Sequence, residues 1–268
     1  DASISLTFTL SESTSDFTSS YVTVIGGGTL SSFTQVSGTE YFATFTPSTT
    51  EGLRSIKVAA NAYTDAAGNH NLESHPFEWT YDTTSPTITI TSAEGLSGFT
   101  SNDASISLTF TLSESTSDFT SSYVTVIGGG TLSSFTQVSG TEYFATYTPS
   151  TTEGLQSIKV AAGAYTDAAG NENIESNTFE WTYDTTRPTI TITSAEGLSG
   201  FTSNDASISL TFTLSESTSD FTYEDVPVTG VEMPGLLSTS SEFTIDFTSS
   251  YVTVIGGGTL SSFTQVSG

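Results

Sequence analysis

The sequence contains no cysteine, which excludes disulfide bonds, thiolate metal sites and cysteine nucleophiles. Basic residues are also scarce: 4 lysines and arginines stand against 29 aspartates and glutamates, and the formal net charge is −25. Such a surface repels the phosphates of nucleic acids and anionic membranes, so neither is expected as a partner. The charge suits a protein that works in salt or binds cations.

Histidine and long apolar runs are rare as well. The two histidines, His70 and His75, have Glu172 and Asn177 in their places in a second copy of the same sequence. A catalytic histidine shared by both copies is therefore excluded. No apolar run reaches the roughly 18 residues that span a membrane, so membrane insertion is not expected.

A repeat with a period of 102 residues dominates the sequence. The segment DASISLTFTLSESTSDFTSSYVTVIGGGTLSSFTQVSG starts at Asp1 and at Asp103, and its first 18 residues return at Asp205. Residues 1–102 and 103–204 differ at eight positions. The unit is longer than solenoid repeats of about 20–50 residues. Each unit can therefore fold alone, and the sequence predicts a string of domains.

Within each unit, hydrophobic residues recur with a period of two, as in SISLTFTL (105–112), TITIT (189–193) and TFEWTYD (178–184). Gly, Pro and Ser/Asp clusters separate these segments every ten or so residues. About seven short strands per 100 residues, each with one buried face, predict an all-β fold of tandem antiparallel β-sandwiches. Trp79 and Trp181 are expected in the cores.

Several segments occur in a recognisable order: LTFTLSES, VTVIGGGTLSSF, ATFTPSTTEG, VAANAYTDAAGN and FEWTYDTTSPTITITSAEG. In this order they resemble the bacterial Ig-like repeats of large cell-surface and extracellular proteins. The resemblance covers nearly the whole chain outside residues 223–248. It implies tandem Ig-like domains in an extracellular, often adhesive or filamentous array, in which calcium commonly stiffens the domain junctions.

Pro86 and Pro188 follow the segments DTTS and DTTR, and proline is tolerated only at the start or edge of a strand. We therefore place the domain junctions there. Residues 1–82 form an Ig-like domain without its first strand, 83–184 a complete domain, and 185–268 a domain with a divergent insert at 223–248 and without its C-terminal strands.

The insert is the one distinct segment of the chain, and it resembles a divergent copy of strands three to five. Three explanations stay open: a window cut from a longer array, exchange of strands with another copy, or an imperfectly assigned sequence. We predict that partner strands complete the first or last domain, because incomplete sandwiches leave open edges. A long surface loop is the alternative for the insert. Its candidate assembly or ligand-binding residues are Tyr223, Asp225, Met233, Leu236 and Phe243.

The segment YTDAAGN occurs at 63–69 and at 165–171, and it could be a tight turn, a metal loop or part of an active site. In an Ig-like sandwich this loop shares one pole with the loop after the second strand and with the incoming linker. Carboxylates and amides gathered there suit Ca²⁺, which binds oxygens. In the complete domain the predicted ligands are Asp82, Glu114, Asp118, Asp167 and Asn171.

The first domain repeats the pattern with Glu12, Asp16, Asp65 and Asn69, while Asp184 would serve the third domain. The alternative is that each acid caps its own turn, because Asp and Asn bond nearby backbone and Gly supplies a positive φ. Asp103 and Asp205 lie at the opposite pole, near Glu153 in the complete domain, and this second cluster is not counted among the predicted ligands.

No other chemistry is well supported. The sequence lacks both a usable histidine for its many serines and a G-x-S-x-G motif, so no enzyme is expected. Lys57 and Lys159 lie between inward Ile and Val residues and should face outward, which argues against isopeptide cross-links. Outward threonines such as Thr109 and Thr111 could bind ice or carry sugars, but threonine is also common on solvent-facing strands.

Two functions remain. Near-identical units favour a structural filament or stalk, made of copies of the chain, outside the cell or on its surface. The alternative is the extender region of a cell-surface adhesin, whose tip binds a ligand that the sequence does not identify.

Overall fold

A computed structural model describes residues 3–204, 207–221, 225–226, 242–248 and 260–265. The chain divides into two compact units, Asp1–Asp184 and Thr185–Gly268. Regular structure in the described residues is almost all β, as the alternating pattern predicted. Within those residues, no helix is both long and apolar enough to span a bilayer.

The first unit holds two sandwiches. The first sandwich has two three-stranded sheets, ordered β1-β4-β3 and β2-β5-β6. Its strands are β1 (Ile4–Thr9), β2 (Val22–Ile25), β3 (Gly28–Gln35), β4 (Glu40–Pro47), β5 (Gly52–Val58) and β6 (Phe77–Tyr81).

The second sandwich has one more strand in each sheet, in the orders β7-β9-β12-β11 and β10-β13-β14-β8. Its strands are β7 (Ile88–Ser92), β8 (Phe99–Ser101), β9 (Ile106–Leu112), β10 (Val124–Ile127), β11 (Thr131–Gln137), β12 (Glu142–Thr148), β13 (Gly154–Val160) and β14 (Phe179–Tyr183). All pairs are antiparallel except β14 with β8. The short parallel strand β8, which has no alternating apolar run, was not predicted.

The core of the second sandwich follows the alternation read from the sequence. Ile106, Leu108, Phe110 and Leu112 are at most 3% exposed, while the residues between them face outward. Trp181 from β14 is also buried, and its ring meets Tyr147 edge-on at 4.9 Å. Apolar burial at this density is the main stabilising contribution to a sandwich. Trp79, the counterpart in the first sandwich, is only half-buried.

The second unit contains one sheet in the order β15-β16-β17-β18. Its strands are β15 (Ile190–Ser194), β16 (Ser207–Leu214), β17 (Glu242–Thr248) and β18 (Leu260–Gln265). β17 lies between β16 and β18, as β12 lies between β9 and β11. β18 therefore occupies the position that β11 occupies in the second sandwich, although β18 follows β17 in the chain whereas β11 precedes β12.

In this unit, the prediction of a buried face is wrong for one segment. The alternation in TITIT predicted a buried face, yet Ile190 and Ile192 are 46% and 56% exposed. Their counterparts Ile88 and Ile90 are 4% and 1% exposed. The physical reason is that the sheet is the only one formed by the described residues of this unit, so nothing there covers the isoleucines.

The candidate residues of the insert are described only in part. Asp225 is exposed, and Phe243 lies on β17. Tyr223, Met233 and Leu236 lie outside the described residues.

Candidate metal centre

Three connections meet at the end of the second sandwich that adjoins the first. The linker after β6 carries Asp82, the loop between β9 and β10 carries Glu114, and the loop between β13 and β14 carries Asp167. One carboxylate oxygen of each lies within 4.8 Å of the other two. Asp167 is only 8% exposed, whereas Asp82 and Glu114 are half-buried. These three are among the five ligands predicted for the complete domain, and they lie 32 to 85 positions apart in the sequence.

Asp167 is positioned by its own turn. Its Oδ1 accepts hydrogen bonds from the backbone N–H groups of Ala169 and Asn171, at 2.8 and 2.9 Å. Its Oδ2 accepts one from the Asn171 side-chain amide at 2.8 Å. Gly170 has a φ of +90°, which L-residues with a side chain rarely adopt. YTDAAGN is therefore a tight turn, and the turn holds a carboxylate at the edge of the cluster.

Simultaneous ionisation of all three carboxylates of the trio is electrostatically unfavourable. The pKa of Glu114 is raised by burial first, and then by the charges of Asp82, Asp167 and Glu51. None of the trio, all within the described part of the chain, forms an ion pair. Burial also opposes ionisation of Asp167, but the hydrogen bonds from its turn outweigh burial and keep its pKa low.

The linker is tied to both sandwiches. On the first sandwich, Glu51 accepts hydrogen bonds from the N–H and hydroxyl of Thr83 at 2.8 and 2.5 Å, and from the hydroxyl of Thr84 at 2.8 Å. On the second, the amide of Asn171 donates to the backbone carbonyl of Asp82 at 3.3 Å. The junction is therefore a hydrogen-bonded structure within the first unit.

Sequence reasoning missed Glu51. Its counterpart Glu153 was noticed at the exit pole of a domain, but the exit pole of one domain is also the entry to the next. Because Glu51 lies at the exit pole of the first domain, the sequence could have indicated that it lies near the trio. Its charge there contributes to the raised pKa of Glu114.

Asp118, another predicted ligand, has a different set of partners. Its carboxylate accepts hydrogen bonds from the N–H and hydroxyl of Thr166 and from the hydroxyl of Thr116. Thr116 in turn donates to the carbonyl of Thr166 at 2.6 Å. Asp118 thus ties two loops together, and it is not one of the three clustered carboxylates. Asn171 acts as a donor in this structure, and its role as a ligand stays a prediction.

The first sandwich has the same turns without the same cluster. Asp16 bonds Thr14 and Thr64, as Asp118 bonds its counterparts. Asp65 accepts from the Asn69 side chain at 2.7 Å, while Glu12 is exposed. Among the residues described, the group of three carboxylates is formed only at 82, 114 and 167. Asp184 is the last residue of the first unit, and its role toward the next domain also stays a prediction.

The dimensions of the trio fit one calcium ion. Calcium bonds oxygens at roughly 2.3–2.6 Å, so oxygens on opposite sides of the ion are about 4.6–5.2 Å apart. Three carboxylate oxygens within 4.8 Å of one another can therefore contact the same ion. A site with negative charge, partial burial and no ion-pair partner is also the kind of site that a cation relieves.

A family model described as "Bacterial Ig-like domain" matches residues 1–80 and 82–183. The two matched ranges together make up more than half of the chain and coincide closely with the two sandwiches. No curated protein matches the chain in sequence.

Two solved structures match the chain at low sequence identity. FdeC, an Escherichia coli adhesin, is 13% identical, with a TM-score of 0.39 over 89% of this chain and 83% of that one. InvD of Yersinia pseudotuberculosis is 15% identical, with a TM-score of 0.36 over 98% of this chain and 75% of that one.

Proposed function

Because this chain belongs to the bacterial Ig-like domain family, we propose that it is a structural subunit of an extracellular filament or stalk. Its domain junctions are stiffened by Ca²⁺. The observation that carries this proposal is the trio Asp82, Glu114 and Asp167, in which the linker and two loops each contribute one carboxylate. An ion bound there joins the linker to the second sandwich and limits hinge motion between the domains.

The repetition supports a mechanical role. Two successive units differ at eight positions, so the chain repeats one surface instead of building a distinct recognition site. The loop that carries Glu114 and the turn YTDAAGN that carries Asp167 are identical in the two units. The proposed role is non-catalytic, and the acids serve to bind the ion and to hold turns.

The chain contributes the carboxylate ligands, and the bound ion would neutralise their negative charge. Asp167 is held in place by its turn, Glu114 is a carboxylate whose charge is opposed by burial and by its acidic neighbours, and Asp82 comes from the linker. Calcium takes about six to eight oxygens, so backbone carbonyls and water complete the shell. Because Asp82 belongs to the linker whereas Glu114 and Asp167 belong to the second sandwich, ion binding and the geometry of the junction are coupled.

Isothermal titration of the full chain with CaCl₂ tests the site, and the chain contains its own matched control. Asp167→Asn removes a charge from the trio, whereas Asp65→Asn makes the same change in the same turn of the first sandwich. We expect Asp167→Asn to weaken the site that the wild type shows by at least about tenfold, since charge count sets calcium affinity. Asp65→Asn should leave that site unchanged. Equal losses, or no binding by the wild type, would overturn the calcium proposal.

A test of the filament is the assembled state in calcium. A subunit that forms fibres should show regular particles by electron microscopy and a mass that rises with concentration. The adhesin-extender alternative predicts a chain that binds calcium at its junctions and stays monomeric at all concentrations.

A further inference from the structure

The linker between the two sandwiches, residues 82–87, is held on the second sandwich at both of its ends. At its start, the backbone carbonyl of Asp82 accepts a hydrogen bond from the side-chain amide of Asn171 at 3.3 Å. At its end, the backbone carbonyl of Pro86 accepts one from the N–H of Ile174 at 3.0 Å. The linker therefore moves with the second sandwich.

The candidate ion site belongs to the same rigid body. Glu114 and Asp167 come from loops of the second sandwich, and Asp82 comes from the linker. The Asp82 carboxylate is oriented locally, because its Oδ1 accepts the N–H of Thr84 at 3.0 Å. None of the three ligands lies on the first sandwich. The backbone torsions at Tyr81, the last residue of β6, thus form a hinge that a bound ion does not contact.

Glu51 of the first sandwich spans this hinge. It lies between β4 and β5, and its carboxylate reaches past Asp82 to the next two residues. Its Oε1 accepts hydrogen bonds from the N–H and the hydroxyl of Thr83 at 2.8 and 2.5 Å, and its Oε2 accepts one from the hydroxyl of Thr84 at 2.8 Å. These bonds lower the pKa of Glu51, those from the Thr83 side chain most. The carboxylate is therefore ionised at neutral pH, and its hydrogen bonds are of the stronger, charge-assisted kind.

The loop that carries Glu51 is itself anchored in the core of the first sandwich. Arg54 is 2% exposed, and its guanidinium donates to the backbone carbonyls of Thr50 and Gly52, the two residues that flank Glu51. The same guanidinium lies over the ring of Tyr81, 5.4 Å from its centroid. One buried side chain therefore fixes both the loop and the end of β6, so Glu51 holds the linker from a rigid base.

The contacts of Glu51 distinguish it from an ion ligand. It is not one of the three clustered carboxylates, and both of its oxygens accept hydrogen bonds from the linker. Its charge does contribute to the raised pKa of Glu114, but after burial and after the charges of Asp82 and Asp167. Glu51 therefore acts beside the ion site and not within it.

We propose that Glu51 is the positioning residue that transmits ion binding at the trio to the first sandwich. Calcium fixes Asp82 to the second sandwich, and Glu51 fixes Thr83 and Thr84 to the first, so the hinge at Tyr81 is restrained from both sides. This inference rests on the proposed function and deepens it, because it separates two properties of the junction. The trio is sufficient for binding the ion, whereas stiffening also requires Glu51.

Distances between nitroxide labels on the full chain, measured by pulsed electron paramagnetic resonance, test the proposal. The chain has no cysteine, so Thr23→Cys and Thr125→Cys place one label on each sandwich, at exposed and equivalent strand positions. Without further changes, the distance distribution should be narrow in excess CaCl₂ and broad in EGTA. With Glu51→Ala it should stay broad in excess CaCl₂. Glu78→Ala, which removes an exposed glutamate of β6, should behave as the unaltered labelled chain.

Isothermal titration with CaCl₂ separates positioning from ligation. Glu51→Ala should weaken calcium binding by less than about fivefold, the usual limit for an exposed charge pair. Asp167→Asn should weaken it by at least about tenfold, because charge count sets calcium affinity.

A second variant tests the hydrogen bonds without a change in charge. Thr83→Val/Thr84→Val removes both hydroxyl donors to Glu51 and leaves every carboxylate in place. It should broaden the label distances in excess CaCl₂ while calcium affinity stays unchanged. A purely electrostatic effect of Glu51 on the ion would leave the distances of this variant narrow.

Failure of this inference is distinguishable from failure of the calcium proposal. If the labelled chain narrows in calcium and both Glu51→Ala and Thr83→Val/Thr84→Val narrow equally, the calcium proposal stands and the role of Glu51 is wrong. If Glu51→Ala loses as much affinity as Asp167→Asn, Glu51 is a ligand and not a positioning residue. If the unaltered labelled chain neither binds calcium nor narrows, the calcium proposal fails and the inference fails with it.

Discussion

The side-chain amide of Asn171 donates one hydrogen bond to the backbone carbonyl of Asp82, at 3.3 Å, and a second to the carboxylate of Asp167, at 2.8 Å. One residue thereby links the linker to the turn that holds the most buried acid of the trio. The position of the metal centre and the geometry of the domain junction are therefore set by the same contacts.

Removal of that amide should loosen the junction without a change in charge. We expect Asn171→Ala to destabilise the second sandwich by about 1 kcal/mol, the usual net value of a hydrogen bond, and to weaken calcium binding. Thermal unfolding and calcium titration measure the two effects. Asn69→Ala makes the same change in the first sandwich, where Asn69 bonds only its own turn among the contacts seen, and it should leave calcium binding intact. A calcium loss in Asn69→Ala would contradict this account.

Glu114→Gln should have effects of opposite sign with and without calcium. Without calcium, the change removes a charge that burial and three neighbouring carboxylates oppose, so the second sandwich should become more stable at neutral pH. With calcium, it removes a ligand, and affinity should fall by about 10- to 100-fold, the loss seen even for groups behind metal ligands. Unfolding midpoints in EGTA and in excess CaCl₂ give both signs. Glu12→Gln, an exposed counterpart, should change neither; a uniform effect of Glu114→Gln in both conditions would contradict the prediction.

The pH dependence of stability in EGTA follows from the same shift. An acid whose folded-state pKa is raised above its ordinary value of 4.5 destabilises the fold above that pKa, and protonation relieves the penalty. Stability of the second sandwich should therefore rise as pH falls from neutrality toward 4.5. The rise should disappear in Glu114→Gln and in saturating calcium. Denaturant melts between pH 4.5 and 7 measure the slope, and a flat wild-type profile would contradict the prediction.

Asp118 should show the reverse dependence. Burial raises its pKa, but the hydrogen bonds from Thr116 and Thr166 outweigh burial and lower it below the ordinary 3.8. Its contribution is therefore present above pH 3.8 and is lost as pH falls through the lower folded-state value. Asp118→Asn should cost about 1–3 kcal/mol at neutral pH by weakening charged hydrogen bonds. Calcium affinity should change less than in Asp167→Asn, and an equal loss would place Asp118 among the ligands.

A buried pair distinguishes the two sandwiches. The Tyr147 hydroxyl donates to Gln156 Oε1 at 2.5 Å, while the first sandwich has Phe45 and Arg54 there. Tyr147→Phe should cost the second sandwich about 1–3 kcal/mol, because a buried acceptor loses its donor. Tyr147→Phe/Gln156→Arg rebuilds the pair of the first sandwich and should recover part of the loss. Chemical denaturation of the four proteins closes a double-mutant cycle, and strict additivity would show that the pair is not coupled.

The positions of the strands could be predicted from the sequence wherever one face of the strand is buried. Ile106 to Leu112 alternate in burial as the period of two requires, since each second side chain points into the core. The same reasoning failed for Ile190 and Ile192, because alternation shows which residues share a face and not whether a second sheet covers it. β8 was missed for the related reason that a three-residue parallel strand carries too little periodicity.

The trio was predictable because loop placement in a sandwich is a property of strand order. Glu114 and Asp167 belong to loops at one pole, and Asp82 precedes the first strand at that pole. The distinction between Asp118 and Asp167 was not predictable, because both are acids in polar loops. Asp118 differs because the hydroxyls of Thr116 and Thr166 donate hydrogen bonds to its carboxylate. This arrangement depends on the tertiary hydrogen bond from Thr116 to the carbonyl of Thr166, which is 50 residues away in the sequence.

The most direct test of the calcium-stiffened junction is the orientation of the two sandwiches in residues 1–184, followed by residual dipolar couplings while EGTA is titrated against CaCl₂. The account predicts one fixed orientation in calcium, a broad distribution in EGTA and a higher unfolding midpoint with calcium. The Asp167→Asn variant should remain mobile in both conditions. An unchanged orientation and an unchanged unfolding midpoint on removal of calcium would contradict the account.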